Sequence, residues 1–267
     1  VLTYGNLSAA RIAETMERLN NIFSGKATRN AAGVNTGIQF VLAQYNPAGE
    51  LMDEPGINRV TVEEVTEGTP PDKYHRFLSQ NNAIWPHEKY LNIWLMSETK
   101  YPKFWNSITK LCVPKYRLGS ETLPGLSLPP VPSTWVPKVE QIGILFRMST
   151  FQYFQRSIDA TAERELVTCI GNYLGLLDTW KINNSNVNDQ CNDTFAYGIV
   201  NNNGSLGTNS SWSKEVGSYR FLSENIMDDP TGTHRSVSKD QALRMYWVLK
   251  NCAGRSMWQS DFALTGK

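Results

Sequence analysis

The sequence has little of what marks several large classes of protein. Formal net charge is only +1 over 267 residues, so the charge balance favours neither nucleic acid nor an anionic membrane surface as a partner. No run approaches the roughly 18 apolar residues that indicate a membrane span. None of the four cysteines stands in a CxxC pair, which argues against a zinc ribbon or a redox motif. The length suits one large domain, or one domain in two lobes, with a buried core.

Cysteine usage and loop composition bear on the cellular compartment. Cys112, Cys169, Cys191 and Cys252 permit three full disulfide pairings, and their spacing does not choose among them. The run at 181–213 is rich in Asn, Ser and Gly, which is typical of exposed loops in secreted proteins. The chain begins without a start methionine or a signal peptide, and we interpret it as the interior of a longer precursor. These features predict a secreted, periplasmic or cell-surface protein.

Periodic apolar positions predict the regular elements. Residues 8–23 predict a helix, because Ile12, Met16, Leu19 and Phe23 recur at helical spacing behind Ser8 as N-cap. A last helix is predicted at 238–252, with Ser238 as its cap; its predicted buried residues are Leu243, Tyr246, Val248 and Leu249. Alternating apolar positions and short apolar runs predict strands at 37–44, 56–60, 90–96 and 142–148. Residues 97–141 are predicted to form a long irregular loop, since prolines cluster there.

The stretch ERELVTCIGNYLGLLDTW, residues 163–180, predicts a helix of a particular kind. Its apolar residues fall on one face at helical spacing, namely Leu166, Ile170, Tyr173, Leu174 and Leu177. Gly175 is placed to end the helix in a left-handed conformation.

This stretch resembles the zinc-binding helix of metzincin proteases, which reads H-E-x-x-H-x-x-G-x-x-H and is followed by a Met-turn. Two histidines at i and i+4 lie on one helical face and reach a single zinc, while the glutamate acts as general base. The surroundings resemble the pappalysin type, whose segment runs HEIGHYLGLxHTW where this chain has IGNYLGLLDTW.

Other segments extend the resemblance to most of residues 8–250. NTGIQFVLA, GINRV and KYLNIWLM resemble the early strands of the family, and CNDTFAY resembles the segment after its helix. ENIMDDPTGTHRSVSKDQALRM resembles the Met-turn and final helix, with Met227 as the turn methionine. Related members include lipoprotein-like proteins of gut Bacteroidetes.

The resemblance implies an α/β (α+β) fold of the zincin or metzincin-like class. It implies a mixed sheet, an active-site-type helix and a smaller, loop-rich C-terminal lobe. The whole chain, 1–267, is expected to form one domain. Residues 1–175 would form the N-terminal lobe, and 176–267 would form the C-terminal lobe with the Met-turn and the last helix.

The resemblance also places the residues that would carry chemistry. Thr168, Asn172 and Asp178 occupy the three zinc-ligand positions, and Cys169 occupies the position of the glutamate. A hydroxyl and an amide are poor zinc ligands, and a thiol does not replace the carboxylate that deprotonates water. Zinc is expected for the family, but its ligands are absent here. The sequence therefore predicts no catalytic residues, no metal ligands and no cofactor.

Two other chemistries are alternatives. Cys169 as a nucleophile would need an imidazole, and His234 is its only credible partner, since His75 and His87 are predicted at the surface. A small buried hydrophobe is the favoured interpretation of this cysteine. An oxygen-rich calcium site is the second alternative, built from Asp178, Asp189, Asp193, Asp228 and Asp229. Solvated loop acids, or a hydrogen bond from Asn172 to Asp178, are favoured over it.

The predicted function is that of a catalytically inactive metallopeptidase-like domain, a pseudopeptidase. It would be a secreted or surface module that binds a peptide, protein or glycan. Trp135 and Trp212 on loops are a candidate platform for a sugar or peptide, although core packing or incidental exposure is the favoured interpretation of the tryptophans. A membrane would be contacted only through a lipid anchor outside this chain. The alternative is a hydrolase with a shifted metal site or a Cys169-dependent activity. A third interpretation, a purely architectural lobe, predicts no concave apolar pocket beside the helix.

Overall fold

The computed structural model describes residues 7–29, 31–60, 78–96, 111–112, 142–147, 161–182, 189–199, 213–216, 219–228, 232–251 and 254–267. Its helices are α1 (Ala9–Phe23), α2 (Thr161–Tyr173), α3 (Lys239–Asn251) and α4 (Phe262–Thr265), with a 3₁₀ turn at Ser256–Gln259. Its strands are β1 (Ile93–Met96), β2 (Leu111–Cys112), β3 (Ile144–Arg147), β4 (Trp180–Ile182), β5 (Tyr197–Ile199), β6 (Ser213–Val216) and β7 (Tyr219–Leu222). Within these residues no helix has both the length and the apolar character needed to cross a membrane.

The first helix agrees with its prediction. The Ser8 side chain accepts a hydrogen bond from the backbone N–H of Arg11 at 3.2 Å and so caps α1. Leu19 and Phe23 are fully buried, as the helical spacing of the apolar positions predicts.

Three strands form a mixed sheet in the order β1-β3-β2. β1 runs parallel to β3, and Ile93 pairs with Ile144, whereas β2 is antiparallel to β3. The predictions of strands at 90–96 and 142–148 are therefore confirmed over the strands' shorter observed lengths. The irregular loop predicted at 97–141 is wrong at Leu111–Cys112, because a strand of 2 residues is too short to show a periodicity. The proline cluster lies outside the described residues.

Two predicted strands are not formed. Residues 37–44 and 56–59 belong to no strand, and Val60 forms only a single β-bridge. Ile38, Phe40 and Leu42 are half-buried in alternation, but the backbone of Phe40 bonds to a side chain instead of a neighbouring strand. Asn20 of α1 accepts from Phe40 N at 2.8 Å and donates to Phe40 O at 2.9 Å. The alternation therefore reports burial, while the choice of hydrogen-bond partner makes the segment an extended loop.

The hydrophobic core surrounds α2. It joins residues of α1 and β3 to the segment around Met227 and to α3; its members include Leu19, Phe23, Ile144, Leu166, Ile170, Met227 and Met245. The predicted apolar face of α2 is confirmed, since four of its five residues are at most 3% exposed and Leu177 is half-buried. Residues on both sides of position 175 share this one core.

The last helix forms where it is predicted, and Val248 is buried as predicted, but two of the four predicted buried residues are exposed. Ser238 Oγ accepts from Gln241 N at 3.3 Å, which confirms the cap. Leu243 and Tyr246 are 43% and 46% exposed, whereas Ala242 and Met245 are buried. The prediction of a buried Leu243 and Tyr246 is therefore wrong. The stripe toward the core passes through smaller or more flexible side chains, and residue size alone does not locate it.

Candidate functional site

The C-terminal end of α2 is closed by a Schellman motif. Gly175 N donates to Asn172 O at 3.0 Å, and Leu176 N donates to Gly171 O at 2.9 Å. Gly175 has φ +87, in the left-handed region that glycine adopts without strain. This conformation ends the helix and turns the chain back toward β4.

Met227 packs directly against α2. It is completely buried, and a Cβ added to Gly171 would lie 2.5 Å from its sulfur. Its carbonyl accepts from both the N–H and the hydroxyl of Thr179, at 3.0 and 3.2 Å. The residue predicted as the turn methionine therefore lies beneath the helix, and Gly171 provides the close approach.

Thr168, at the first ligand position, is bonded within the fold. It is 3% exposed, and its hydroxyl donates to Ile226 O at 2.8 Å. The same oxygen lies 3.0 Å from His234 Nδ1. Because the hydroxyl has one proton and Ile226 O takes it, Nδ1 of His234 is the donor in the second contact. Thr168 therefore links α2 to the segment on either side of Met227.

Asn172, at the second ligand position, bonds to its neighbours on the chain. It is 7% exposed, and its amide nitrogen donates to Thr168 O at 3.0 Å. The same nitrogen lies 3.5 Å from Asp178 Oδ1, so the predicted hydrogen bond between these two residues is confirmed as a long one. Asp178 itself is half-buried.

Cys169, at the position of the glutamate, is a thiol inside the apolar core. It is 0% exposed and belongs to the same core cluster as Ile170 and Met227. Its interpretation as a small buried hydrophobe is confirmed. His234 is brought to α2, as its predicted position near the motif requires, but its Nδ1 meets Thr168. Since Cys191 is also a thiol, the structure contains none of the three full disulfide pairings.

Four of the five acids of the predicted calcium site are described, and Asp229 lies outside the described residues. Asp189 and Asp228 are 2% and 1% exposed, so the interpretation of both as solvated loop acids is wrong. Asp189 accepts from the hydroxyl of Thr194 and Asp228 accepts from that of Tyr197, and burial raises the pKa of the Asp189 carboxyl. Asp193 accepts from Asp240 N at 2.9 Å and thereby caps α3. Among the residues that the structure describes, no three His, Cys, Asp or Glu side chains lie together as a metal site would need.

The sequence analysis did not identify two buried arginines that bond to the end of α2. Arg244 donates from Nε to Gly175 O, and Arg255 donates from Nε and Nη2 to Tyr173 O at 3.0 and 2.7 Å. Both therefore hold carbonyl groups at the end of α2, where cations are favourable. No motif signals them, since each is one arginine in an ordinary polar context and the partner is more than 60 residues away.

The three ligand positions do not fit a zinc ion. Thr168 offers a hydroxyl already bonded to Ile226 O, and Asn172 offers an amide, whose nitrogen donates to Thr168 O and whose oxygen is a poor zinc ligand. Asp178 alone carries a carboxylate, and zinc sites in proteins use about three or more nitrogen, sulfur or carboxylate ligands. No catalytic step is therefore derived through zinc at these positions.

Comparison with known proteins identifies the fold. No protein-family model and no curated protein matches the chain. Mature mirolysin of Tannerella forsythia in complex with a cleaved peptide matches over 99% of this chain and 95% of its own, with TM-score 0.62 and 20% identity. A glutamate-to-alanine mutant of promirolysin from the same organism matches over 98% and 82%, with TM-score 0.61 and 19% identity. Mirolysin in complex with compound 9 matches over 99% and 95%, with TM-score 0.60 and 18% identity.

These structures show a zincin-like metallopeptidase fold, similar to that of a metzincin-like enzyme. They also correct one prediction. The expectation that the chain has no cofactor is contradicted, because the proteins with which it shares its fold are zinc metallopeptidases. The shared fold is therefore that of a metallopeptidase, whereas the side chains at 168, 172 and 178 differ from the ligand set of the motif.

Replacing Thr168 with valine is expected to lower the free energy of unfolding by about 2 kcal/mol. Valine keeps the shape, but Ile226 O and His234 Nδ1 lose a buried partner. Thr15→Val is the matched control: Thr15 is 2% exposed, and its hydroxyl only adds a second bond to Arg11 O within α1. Urea denaturation of both variants measures the difference, and equal losses would show that the Thr168 contacts do not stabilise the fold.

Proposed function

We propose that this protein is a pseudopeptidase of the pappalysin type, a domain with the fold of a metallopeptidase that does not hydrolyse peptides and instead binds one. It acts as a secreted or surface module. The observation that supports it most strongly is the bond from Thr168 to Ile226 O, which uses the first ligand position to hold α2 against the Met227 segment.

The other motif positions support the same conclusion. A general base or metal ligand must reach a substrate or a bound water. Thr168, Cys169 and Asn172 are at most 7% exposed, and the two polar ones bond to the protein's own backbone. The degenerate motif thus has a structural role in this fold.

Peptide is the ligand class that we propose for this domain. A structure of mature mirolysin, with the same fold, contains a cleaved peptide. Peptide recognition in a cleft depends on shape and backbone hydrogen bonds as well as on the catalytic groups, so it can persist when hydrolysis is lost. A glycan platform at Trp135 and Trp212 involves residues outside those described.

The hydrolase alternative is not favoured. A thiol nucleophile must be accessible and paired with a base, whereas Cys169 is fully buried in the apolar core. A shifted metal site would have to be built on Asp178, whose described neighbour is the amide of Asn172.

Peptidase assays on labelled casein test the absence of hydrolysis. Wild-type protein, with and without added zinc, is expected to release no label above the buffer rate. Hydrolysis abolished by a chelator and by Asp178→Asn, but not by Asp193→Asn, would establish a shifted metal site and contradict the proposal. Hydrolysis abolished by iodoacetamide would instead identify a thiol enzyme.

Binding is tested separately, with fluorescein-labelled peptides from a casein digest. Fluorescence polarisation is expected to rise saturably with protein concentration, and unlabelled digest is expected to reverse the rise. If polarisation stays at the level of free peptide up to millimolar protein, the peptide-binding half of the proposal is overturned even when hydrolysis is absent.

A further inference from the structure

A large cavity lies beside α2 and apart from the motif positions. Its volume is about 760 Å³, within the range of small-molecule sites. Leu166, Ile170 and Tyr173 of α2 line it, while none of the four motif positions does. The other walls come from α1, residues 37–43, residues 56–60 and 78–92, β1, α3 and residues 257–264. A purely architectural lobe predicts no such apolar pocket, so that interpretation does not fit the structure.

The walls of this cavity are apolar because their aromatic residues direct their polar atoms to the backbone. Tyr90 donates its hydroxyl to Tyr45 O at 2.9 Å, and Trp94 donates its indole N–H to Ala83 O at 2.9 Å. Tyr246 and Trp258 donate in the same way to Thr36 O and Leu249 O. The ring faces of these residues therefore offer a ligand an apolar surface without free hydrogen-bonding groups. Such a surface suits an aliphatic chain.

Exposed hydrophobic side chains also concentrate at this cavity. Four of the large hydrophobic residues that are more than 40% exposed line it, namely Val41, Tyr246, Trp258 and Leu264. Contiguous exposed apolar surface that leads into a concave site is typical of ligand binding. The exposed side chains therefore form an apolar rim.

The charges in the lining have one sign. Among the described lining residues, Lys89 and Lys250 are charged and no acid is present. The Lys89 ammonium lies 3.3 Å from the ring centroid of Phe262, in the same C-terminal segment as Trp258 and Leu264. Lys250 is exposed in the last turn of α3. Two cations beside an apolar rim complement an anionic head group on an apolar tail.

We propose that this cavity binds a free single-chain aliphatic carboxylate, of the chemical class of a long-chain fatty acid. The tail lies in the cavity, and the carboxylate meets Lys89 and Lys250. This function goes beyond peptide binding and rests on different residues, so either one can fail without the other.

Titration of the full chain with oleate tests the ligand class. Isothermal titration calorimetry is expected to show one oleate per chain with micromolar affinity. Oleyl alcohol, which has the same tail and no charge, is expected to bind at least tenfold more weakly. Vesicles of neutral phospholipid are expected not to co-sediment with the protein. No saturable oleate binding, equal affinity for the alcohol, or binding only to vesicles would each overturn the assignment.

Matched variants locate the site. Ala263→Phe places a ring in the lining from α4 and is expected to reduce oleate affinity at least tenfold, while Ala10→Phe on the exposed face of α1 leaves it unchanged. The double variant Lys89→Gln, Lys250→Gln is expected to reduce affinity for oleate but not for the alcohol. Lys239→Gln, an exposed lysine of α3 outside the lining, is its control. The side chains of Lys89 and Lys250 are half-buried and exposed, so the double variant is expected to fold and tests the site even if Ala263→Phe does not fold. Unchanged oleate affinity in the double variant would contradict the proposal.

Discussion

Replacing Gly175 with alanine is expected to lower the free energy of unfolding by about 3 kcal/mol. About 1 kcal/mol comes from the strain of the left-handed backbone, and about 2 kcal/mol comes from overpacking of the core. Gly175 has φ +87, which alanine adopts only with strain. The added Cβ would also lie 2.4 Å from Cγ2 of Val248, a residue of α3 that is 2% exposed. Relief of the clash requires α2 and α3 to separate, and both belong to the core.

A second glycine separates the two contributions to this loss. Gly49 has φ +80, but the nearest atom to a Cβ there is Gly266 O at 3.2 Å. Gly49→Ala is therefore expected to lose only about 1 kcal/mol, because it introduces the backbone strain with little of the clash. Urea denaturation of both single variants measures each contribution. The double variant Gly175→Ala, Val248→Ala, which removes the clashing side chain, is expected to recover part of the loss. Equal losses at positions 175 and 49, or no partial recovery in the double variant, would show that the contact with Val248 does not determine the effect.

Replacing Arg255 with methionine is expected to destabilise the protein by at least about 3 kcal/mol. Arg255 is 0% exposed, and two of its nitrogens donate to Tyr173 O, at the end of α2. Its guanidinium also lies 4.8 Å from the ring centroid of Tyr173. Methionine keeps most of the side-chain length, so the loss isolates the hydrogen bonds and the charge at the helix end.

The controls for Arg255 distinguish charge from geometry. Arg18→Met removes an exposed guanidinium that pairs with Glu14 at 2.7 Å, and it is expected to change the free energy of unfolding by less than about 0.5 kcal/mol. Arg255→Lys keeps the charge but loses the planar fork, and it is expected to recover less than half of the loss. If Arg255→Lys is as stable as the native protein, charge alone supports the end of α2.

Much of the local structure could be predicted from the sequence. Spacing located α1 and its Ser8 cap, the buried stripe of α2 and the left-handed Gly175, because these features depend on residues within a few positions of one another. The residues around the motif positions of α2 also indicated the metallopeptidase fold, which the structural similarity to mirolysin supports.

The tertiary structure alone decided which groups meet. Thr168 bonds to a carbonyl 58 residues away, and Arg255 bonds to one 82 residues away, and no local pattern encodes either partner. Phe40 lies in an alternating stretch that reads as a strand, yet Asn20 takes its backbone hydrogen bonds. Periodicity reports how much of a residue is buried, whereas a hydrogen-bond partner or a cavity wall depends on how distant segments pack. The sequence by itself therefore determined the three long helices and the loss of the motif's ligands. Only the packing determined which extended segments pair as strands, how the motif positions are used and where a cavity opens.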